Sequence, residues 1–179
     1  TAVDWSGHGN HGEIRGGAKP VDGMGGGALE FDGDDDFIYI GKTAGDLGIE
    51  GAKPKSVTAW VYTHAYHNGG IFDMGARSAA QDFSLRTREG TDQWRVQYWS
   101  GDYDFTYPSQ DRWVHFALVY DGSQSICYAN GRVVSSAAKV LDTATTNPFQ
   151  IGCYGWQVNY FDGVIDDVRL YNKGLSAEE

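Results

Sequence analysis

At 179 residues the chain is the length of one domain, and its formal charge of −10 makes it acidic. With 14 Lys and Arg against 24 Asp and Glu, it lacks the clustered cations that grip nucleic-acid phosphates or an anionic membrane, and no stretch nears the ~20 apolar residues of a spanning helix. Its 25 glycines, 6 Trp and 11 Tyr combine turn formers with strand formers and predict an all-β architecture.

Residues 1–27 are glycine-dense and weakly periodic, and read as irregular chain with short extended pieces. Ala28–Phe31 and Phe37–Ile40 read as strands, so the run FDGDDDF (31–37) falls in the turn between them. Ser56–Thr63 alternates, with Val57, Ala59 and Val61 on one face and Trp60 and Tyr62 on the other. A polar turn, HAYHNGG, leads to a strand over 71–74 and a loop over 75–81. Phe83–Arg88 and Trp94–Trp99 then form a hairpin around Glu89–Asp92. Residues 100–110 read as a long aromatic loop, and Trp113–Tyr120 as a strong strand. Asn130-Gly131 turns a hairpin within Ile126–Ser135. Phe149–Gly152 is a strand, 153–162 a second aromatic loop, and Val164–Tyr171 the last strand. By the same alternation Trp60, Trp94 and Trp113 are expected in the core. Short strands at close intervals, with no helical period between them, predict a β-sandwich or barrel. The start at TAVDW and the capping-box pattern Ser176-x-x-Glu179 at the end lead to the expectation of a module cut from a longer chain. Cys127 and Cys153 read either as a disulfide or as two buried thiols on neighbouring strands.

Several blocks carry a family resemblance, in order along nearly the whole chain: DWSGHGNHGEIRGG (4–17), GMGGGALEFDGDDDFIYI (23–40), SVTAWVY (56–62), RWVHFALVYDGSQSICYANGRVV (112–134), PFQIG (148–152) and GVIDDVRLYNKGLSAEE (163–179). The sequence resembles the laminin-G-like modules of the concanavalin A-like lectin/glucanase superfamily. That resemblance implies a jelly-roll sandwich of two antiparallel sheets, with the first and last strands close together. It leaves function open among lectins, adhesion modules, carbohydrate-binding modules, pentraxins and glycoside hydrolases.

Catalytic motifs are poor. The resembled glucanases carry E-x-D-x-x-E on one strand, and the near match here is Glu30, Asp32 and Asp35. Gly33 and Asp34 break the strand before the third carboxylate, and a wet acidic turn does not raise a general acid's pKa. His64 and His67 have ligand-like spacing but no third zinc ligand in view, and read as exposed loop histidines.

The aspartates suggest a cation instead. Asp32-x-Asp34-x-Asp36 is how calcium loops often begin, although positions 37 and 43 rule out an EF-hand. With the first and last strands adjacent, as the resemblance implies, a structural Ca2+ held by Asp32, Asp34, Asp166 and Asp167 would neutralise the mutual repulsion of these closely spaced carboxylates. The competing reading is an Asx turn with Arg169 pairing one carboxylate.

Sugars stack on aromatic faces and bond to carboxylates, amides and arginines. Residues 98–107 and 153–160 carry that mixture. By resemblance to the pentraxins, ligand contacts fall near Tyr154–Asn159 and Gln81-Asp82. The 153–160 loop has no Asp or Glu, so contact is expected to be direct rather than through calcium. The expected ligand residues are therefore Asp82, Trp99, Tyr103, Tyr154, Trp156, Gln157, Asn159 and Tyr160. The sequence thus reads as a non-catalytic, extracellular glycan-binding module, acting beside other domains of a parent adhesin or polysaccharide-acting protein. A protein–protein adhesion module and a glycoside hydrolase are the alternatives.

Overall fold

The computed structural model describes residues 1–155 and 157–179. Sixteen strands appear in chain order: β1 (Glu13–Arg15), β2 (Lys19–Asp22), β3 (Gly27–Asp32), β4 (Phe37–Thr43), β5 (Lys55–Ala65), β6 (Gly70–Gly75), β7 (Ser84–Thr87), β8 (Gln93–Gln97), β9 (Tyr103–Thr106), β10 (Trp113–Tyr120), β11 (Gln124–Ala129), β12 (Arg132–Ala138), β13 (Asn147–Ile151), β14 (Cys153–Tyr154), β15 (Asn159–Tyr160) and β16 (Asp162–Tyr171). Among the described residues there is no helix.

Seven strands form sheet I, in the order β1-β4-β13-β6-β7-β8-β9, and seven form sheet II, in the order β12-β11-β10-β5-β16-β3-β2. All pairings within them are antiparallel. This is the expected two-sheet jelly roll.

The core lies between the sheets and follows the period-two rule. Val57, Ala59 and Val61 of β5, and Val114, Phe116 and Leu118 of β10, meet Trp94 and Val96 of β8 across the interior. Trp94 is fully buried, with its ring 4.4 Å from Phe116 of the opposite sheet. Burial on this scale, at about 25 cal/mol per Å², is the main force joining the layers.

Three expectations need correction. Trp60 and Trp113 are outside the core. Register places Trp60 beside His115 and Trp113 beside Tyr62, all on the outer face of sheet II, because they alternate against the buried Val61 and Val114. The loop over 100–110 contains an edge strand, β9, whose Tyr103 pairs with the core residue Val96. The loop over 153–162 is largely the small hairpin β14–β15.

The first strand read from sequence, now β3, does lie beside the last. β3 pairs with β16, with Asp32 opposite Asp162 and Phe31 opposite Gly163. Cys127 and Cys153 are free, buried thiols whose pKa burial raises, so the bridge is absent.

Candidate functional site

The outer face of sheet I carries a polar band where core-facing residues alternate with hydrophilic ones. Leu85 of β7 and Val96 of β8 point inward, so Ser84, Arg86, Arg95 and Gln97 point outward. Register aligns Arg86 with Arg95, Ser84 with Gln97, and Arg95 with Asp104 of β9. On the next strand Asp73 of β6 stands opposite Gln150 of β13.

The β14–β15 hairpin lies over this band, and two glycines make that approach possible. A Cβ on Gly69 would sit 2.3 Å from the Tyr160 carbonyl oxygen, and one on Gly70 would sit 2.3 Å from that of Cys153. The hairpin is pinned from below, where Asp73 accepts a hydrogen bond from the Gly155 N–H at 2.9 Å. Between hairpin and sheet opens a cavity of about 420 Å³, lined by Arg77, Arg86, Arg95, Gln97, Trp99, Asp102, Tyr154, Val158 and Asn159. That size suits a small ligand.

The lining side chains are held in place by one another. Arg86 is only 7% exposed. Its Nε donates to Gln97 Oε1 at 3.1 Å, its Nη1 donates to Asn68 at 3.0 Å, and its guanidinium lies 4.8 Å from the Tyr154 ring centre. Burial lowers its pKa, but an arginine remains charged throughout the ordinary range. Gln97 Nε2 donates to Asp102 at 2.6 Å, and Asp102 also accepts from the Tyr98 N–H at 2.7 Å. Arg95 forks onto Asp104, at 2.5 and 2.9 Å.

Two carboxyls lie behind the cavity. Asp82 is 2% exposed and Asp73 is 5% exposed. Burial pushes Asp73 up to about 6 and Asp82 well above the carboxylate range, with the Asp73 charge adding to the rise in Asp82. Ser84 Oγ donates to Asp82 at 2.6 Å. Trp99 is the aromatic residue left open here, at 40% exposure, on a left-handed backbone with φ of 65°. A bulky residue in that region is strained, and such strain concentrates at functional sites. Asp82 is buried behind the cavity wall, bonded to Ser84, and does not line the cavity.

The expected ligand residues separate by strand geometry. Trp99, Tyr154 and Asn159 line the cavity, and Asp82 lies behind it. Tyr103 does not belong to it. Its place on β9 turns it inward, 6.0 Å from Tyr98, where its hydroxyl bonds Ser125. Tyr160 does not either, because Tyr154 pairs with Asn159 on one face of the hairpin and Tyr160 pairs with Cys153 on the other. Its ring packs 6.2 Å from Phe37, and its hydroxyl donates to the Gln157 carbonyl at 2.6 Å. Gln157 thus serves the hairpin through its backbone. Trp156 lies outside the described residues. Sequence reasoning missed Arg77, Arg86, Arg95 and Gln97. The signal available was the pair Ser-Leu-Arg and Arg-Val-Gln on adjacent strands, each with an apolar residue between two polar ones.

The expected metal set is also divided. Register places Asp162, not Asp166, opposite Asp32, and Asp166 lies four residues further along β16, roughly 13 Å at strand rise. Asp166 accepts from the Met24 and Gly25 N–H groups, at 2.8 and 3.4 Å, and Asp167 pairs with Arg169. Asp34 is exposed, and its N–H caps Asp32 at 2.9 Å in an Asx turn. The carboxylates that converge are Asp32, Asp35 and Asp36, with oxygens all within 4.8 Å. Asp36 is buried and one of its oxygens, Oδ1, has no partner. Burial raises its pKa, and the charges of Asp32 and Asp35 add to the rise. His64 and His67 flank Asp162, at 3.4 and 3.7 Å.

A laminin-G-type family model, described as the concanavalin A-like lectin/glucanases superfamily, matches residues 27–179. No curated protein matches the sequence. Among solved structures the chain is similar to domain 4 of AbnA, a GH43 extracellular arabinanase from Geobacillus stearothermophilus solved with arabinotriose. The TM-score is 0.77 at 23% identity, covering 98% of this chain and 88% of that one. It is also similar to the binding domain of Paraclostridial Mosquitocidal Protein 1, with a TM-score of 0.73 at 14% identity, covering 98% and 47%. A third match is Trypanosoma rangeli sialidase, with a TM-score of 0.65 at 17% identity, covering 89% and 27%. At these identities the likeness establishes the fold alone.

Proposed function

This chain belongs to the concanavalin A-like lectin/glucanase superfamily, and from that premise we propose that it is a non-catalytic carbohydrate-binding module of an extracellular protein. The observation that carries the reading is the cavity under the β14–β15 hairpin. It brings the open indole of Trp99 beside Gln97, Asn159, Asp102 and three arginines. A sugar ring presents a C–H face to an aromatic and hydroxyls to amides, carboxylates and guanidinium forks, and this lining supplies all of these. The arabinotriose bound to the Geobacillus domain supports the same class of ligand.

Binding without catalysis is favoured by the state of the acids. Asp73 and Asp82 are committed to Gly155 and Ser84, and both are almost wholly buried. A glycosidase needs two carboxyls facing the scissile bond. The deciding experiment is calorimetry against defined oligosaccharides with a reducing-sugar assay on the same mixtures. The expected result is saturable binding, competed by free sugar, with no release of reducing ends. Saturable binding of proteins but of no glycan would support the adhesion alternative, and release of reducing ends would support the hydrolase.

We also propose that a structural Ca2+ sits at the turn, held by Asp32, Asp35 and Asp36 in place of the set expected from sequence. Three hard oxygen donors, one of them buried and unpartnered, fit a cation that takes 6 to 8 oxygens with carbonyls and water completing the shell. Saturating calcium should raise the Tm of chelator-treated protein by several degrees, and Asp36→Asn should abolish that rise. An unchanged melt in millimolar calcium would remove the ion from the account.

A further inference from the structure

The cavity's charge runs against that of the molecule. Three of the chain's eight arginines line it, in a protein of net charge −10. Two carboxyl groups beside it are already engaged. Asp104 holds the Arg95 fork with both oxygens, while Asp102 is bonded by Gln97 and the Tyr98 N–H and stands 3.8 Å from Arg95. Arg86, although 93% removed from solvent, finds only neutral acceptors in Gln97 and Asn68 and the Tyr154 ring. Asn68 is shared further, with Arg88 at 3.3 Å, so even that acceptor is divided between two cations. Arg77 rests near Trp99, at 5.8 Å from the ring centre, and forms no ion pair among the described residues. Behind the wall, burial disfavours the charged forms of both Asp82 and Asp73, the latter shifted up to about 6.

A guanidinium that is desolvated without a counter-ion costs several kcal/mol relative to a paired one. Such an arrangement persists where the missing anion arrives with a ligand. Neutral sugars offer hydroxyls, which would leave the buried Arg86 uncompensated. A carboxylate matches the planar guanidinium fork in shape and charge, and the adjoining Trp99, Gln97 and Asn159 would read the ring that carries it.

We propose that the cavity selects an acidic sugar, a uronic-acid residue whose carboxylate is received by Arg77 and Arg86. This deepens the glycan-binding reading and rests on it. The assignment also accounts for three arginines converging in an acidic protein: the net negative charge repels polyanions broadly, so an acidic chain would be held where these arginines are.

The test compares trigalacturonic acid with its methyl-esterified form, which has the same ring and linkage with the charge masked. Arabinotriose serves as a neutral sugar and a sulfated trisaccharide as a second anion, all titrated calorimetrically at about 50 mM salt. The free acid should bind at least tenfold tighter than its ester, and the gap should narrow in 0.5 M NaCl as screening shortens the reach of the charge. Arg77→Gln, at an exposed position, should keep the wild-type Tm and bring acid and ester within about twofold of each other. Arg86→Lys should keep the charge but lose the fork, weakening the acid more than the ester. Equal binding of acid and ester, or of arabinotriose and the acid, overturns the proposal while leaving the glycan-binding reading intact. Tighter binding of the sulfated sugar overturns the choice of carboxylate. Failure of every sugar to bind overturns both readings together.

Discussion

The two sheets present opposite kinds of outer surface, although both arise from the same alternation of inward and outward residues. On sheet I the outward positions of β6, β7 and β8 hold Asp73, Arg86, Arg95 and Gln97, and a hairpin covers them to leave a walled cavity. On sheet II the outward positions of β5 and β10 hold half-buried aromatics. Trp60 lies 5.1 Å from His115, and Tyr62 lies 5.6 Å from Trp113. A depression there, bounded by Trp60, His115, Asn130 and Gly131, is larger in volume, at about 550 Å³. It is poorer in chemistry. The Asn130 side-chain Oδ1 already accepts the His115 backbone N–H at 2.9 Å, and its Nδ2 donates to the Tyr107 hydroxyl at 3.2 Å. Aromatic area alone thus does not mark a ligand site; polar groups converging with spare hydrogen-bonding capacity do.

The contrast breaks most completely if the hairpin is lifted. Gly70→Val places a branched side chain where a single Cβ already meets the Cys153 carbonyl at 2.3 Å. Glycan binding should be lost, and stability should fall by about 2–4 kcal/mol, read as a lower denaturation midpoint. Retained affinity would mean that the hairpin does not build the site.

A smaller effect tests the buried acids. Burial raises the Asp73 pKa to about 6, so between roughly pH 4 and 6 the folded protein keeps a proton that the unfolded chain releases. The Asp73 contribution to stability must therefore fall as pH rises through that window and level off above it. The loss amounts to at most about 3 kcal/mol for a two-unit shift. Asp73→Asn should lessen the slope of Tm against pH between 4 and 6. An unchanged slope would place the proton elsewhere in the coupled pair.

The smallest effect sharpens the comparison from the other side. Trp60→Ala removes a half-buried ring from sheet II and should cost about 1–2 kcal/mol of stability. Affinity for any glycan should stay within about twofold. A tenfold loss on this variant would move the binding surface to sheet II.

What could be read from the chain itself was whatever depends on neighbours in sequence. Alternation located most strands, and Asn130-Gly131 located a hairpin, because side-chain period and turn dihedrals are local properties. The Phe-Asp-Gly turn and the closing Ile-Asp-Asp segment were expected to lie together, and β3 pairs with β16. Trp99, Tyr154 and Asn159 were legible as aromatic and amide residues in unusual loops.

The tertiary structure decided everything that rests on which face is covered. Alternation separates the two faces of a strand but does not say which one meets the other sheet, so Trp60 and Trp113 could not be told from Trp94. A one-residue offset along a strand reverses a side chain, which is why Tyr103 turned inward and Tyr160 turned toward Phe37. Pairing register, set by contacts more than a hundred residues apart, put Asp162 rather than Asp166 opposite Asp32. The same long-range packing gathered Arg77, Arg86 and Arg95 from three separate stretches into one cavity. Charge convergence of that kind is a property of folded space, since the energy that selects it depends on distances the linear sequence does not contain.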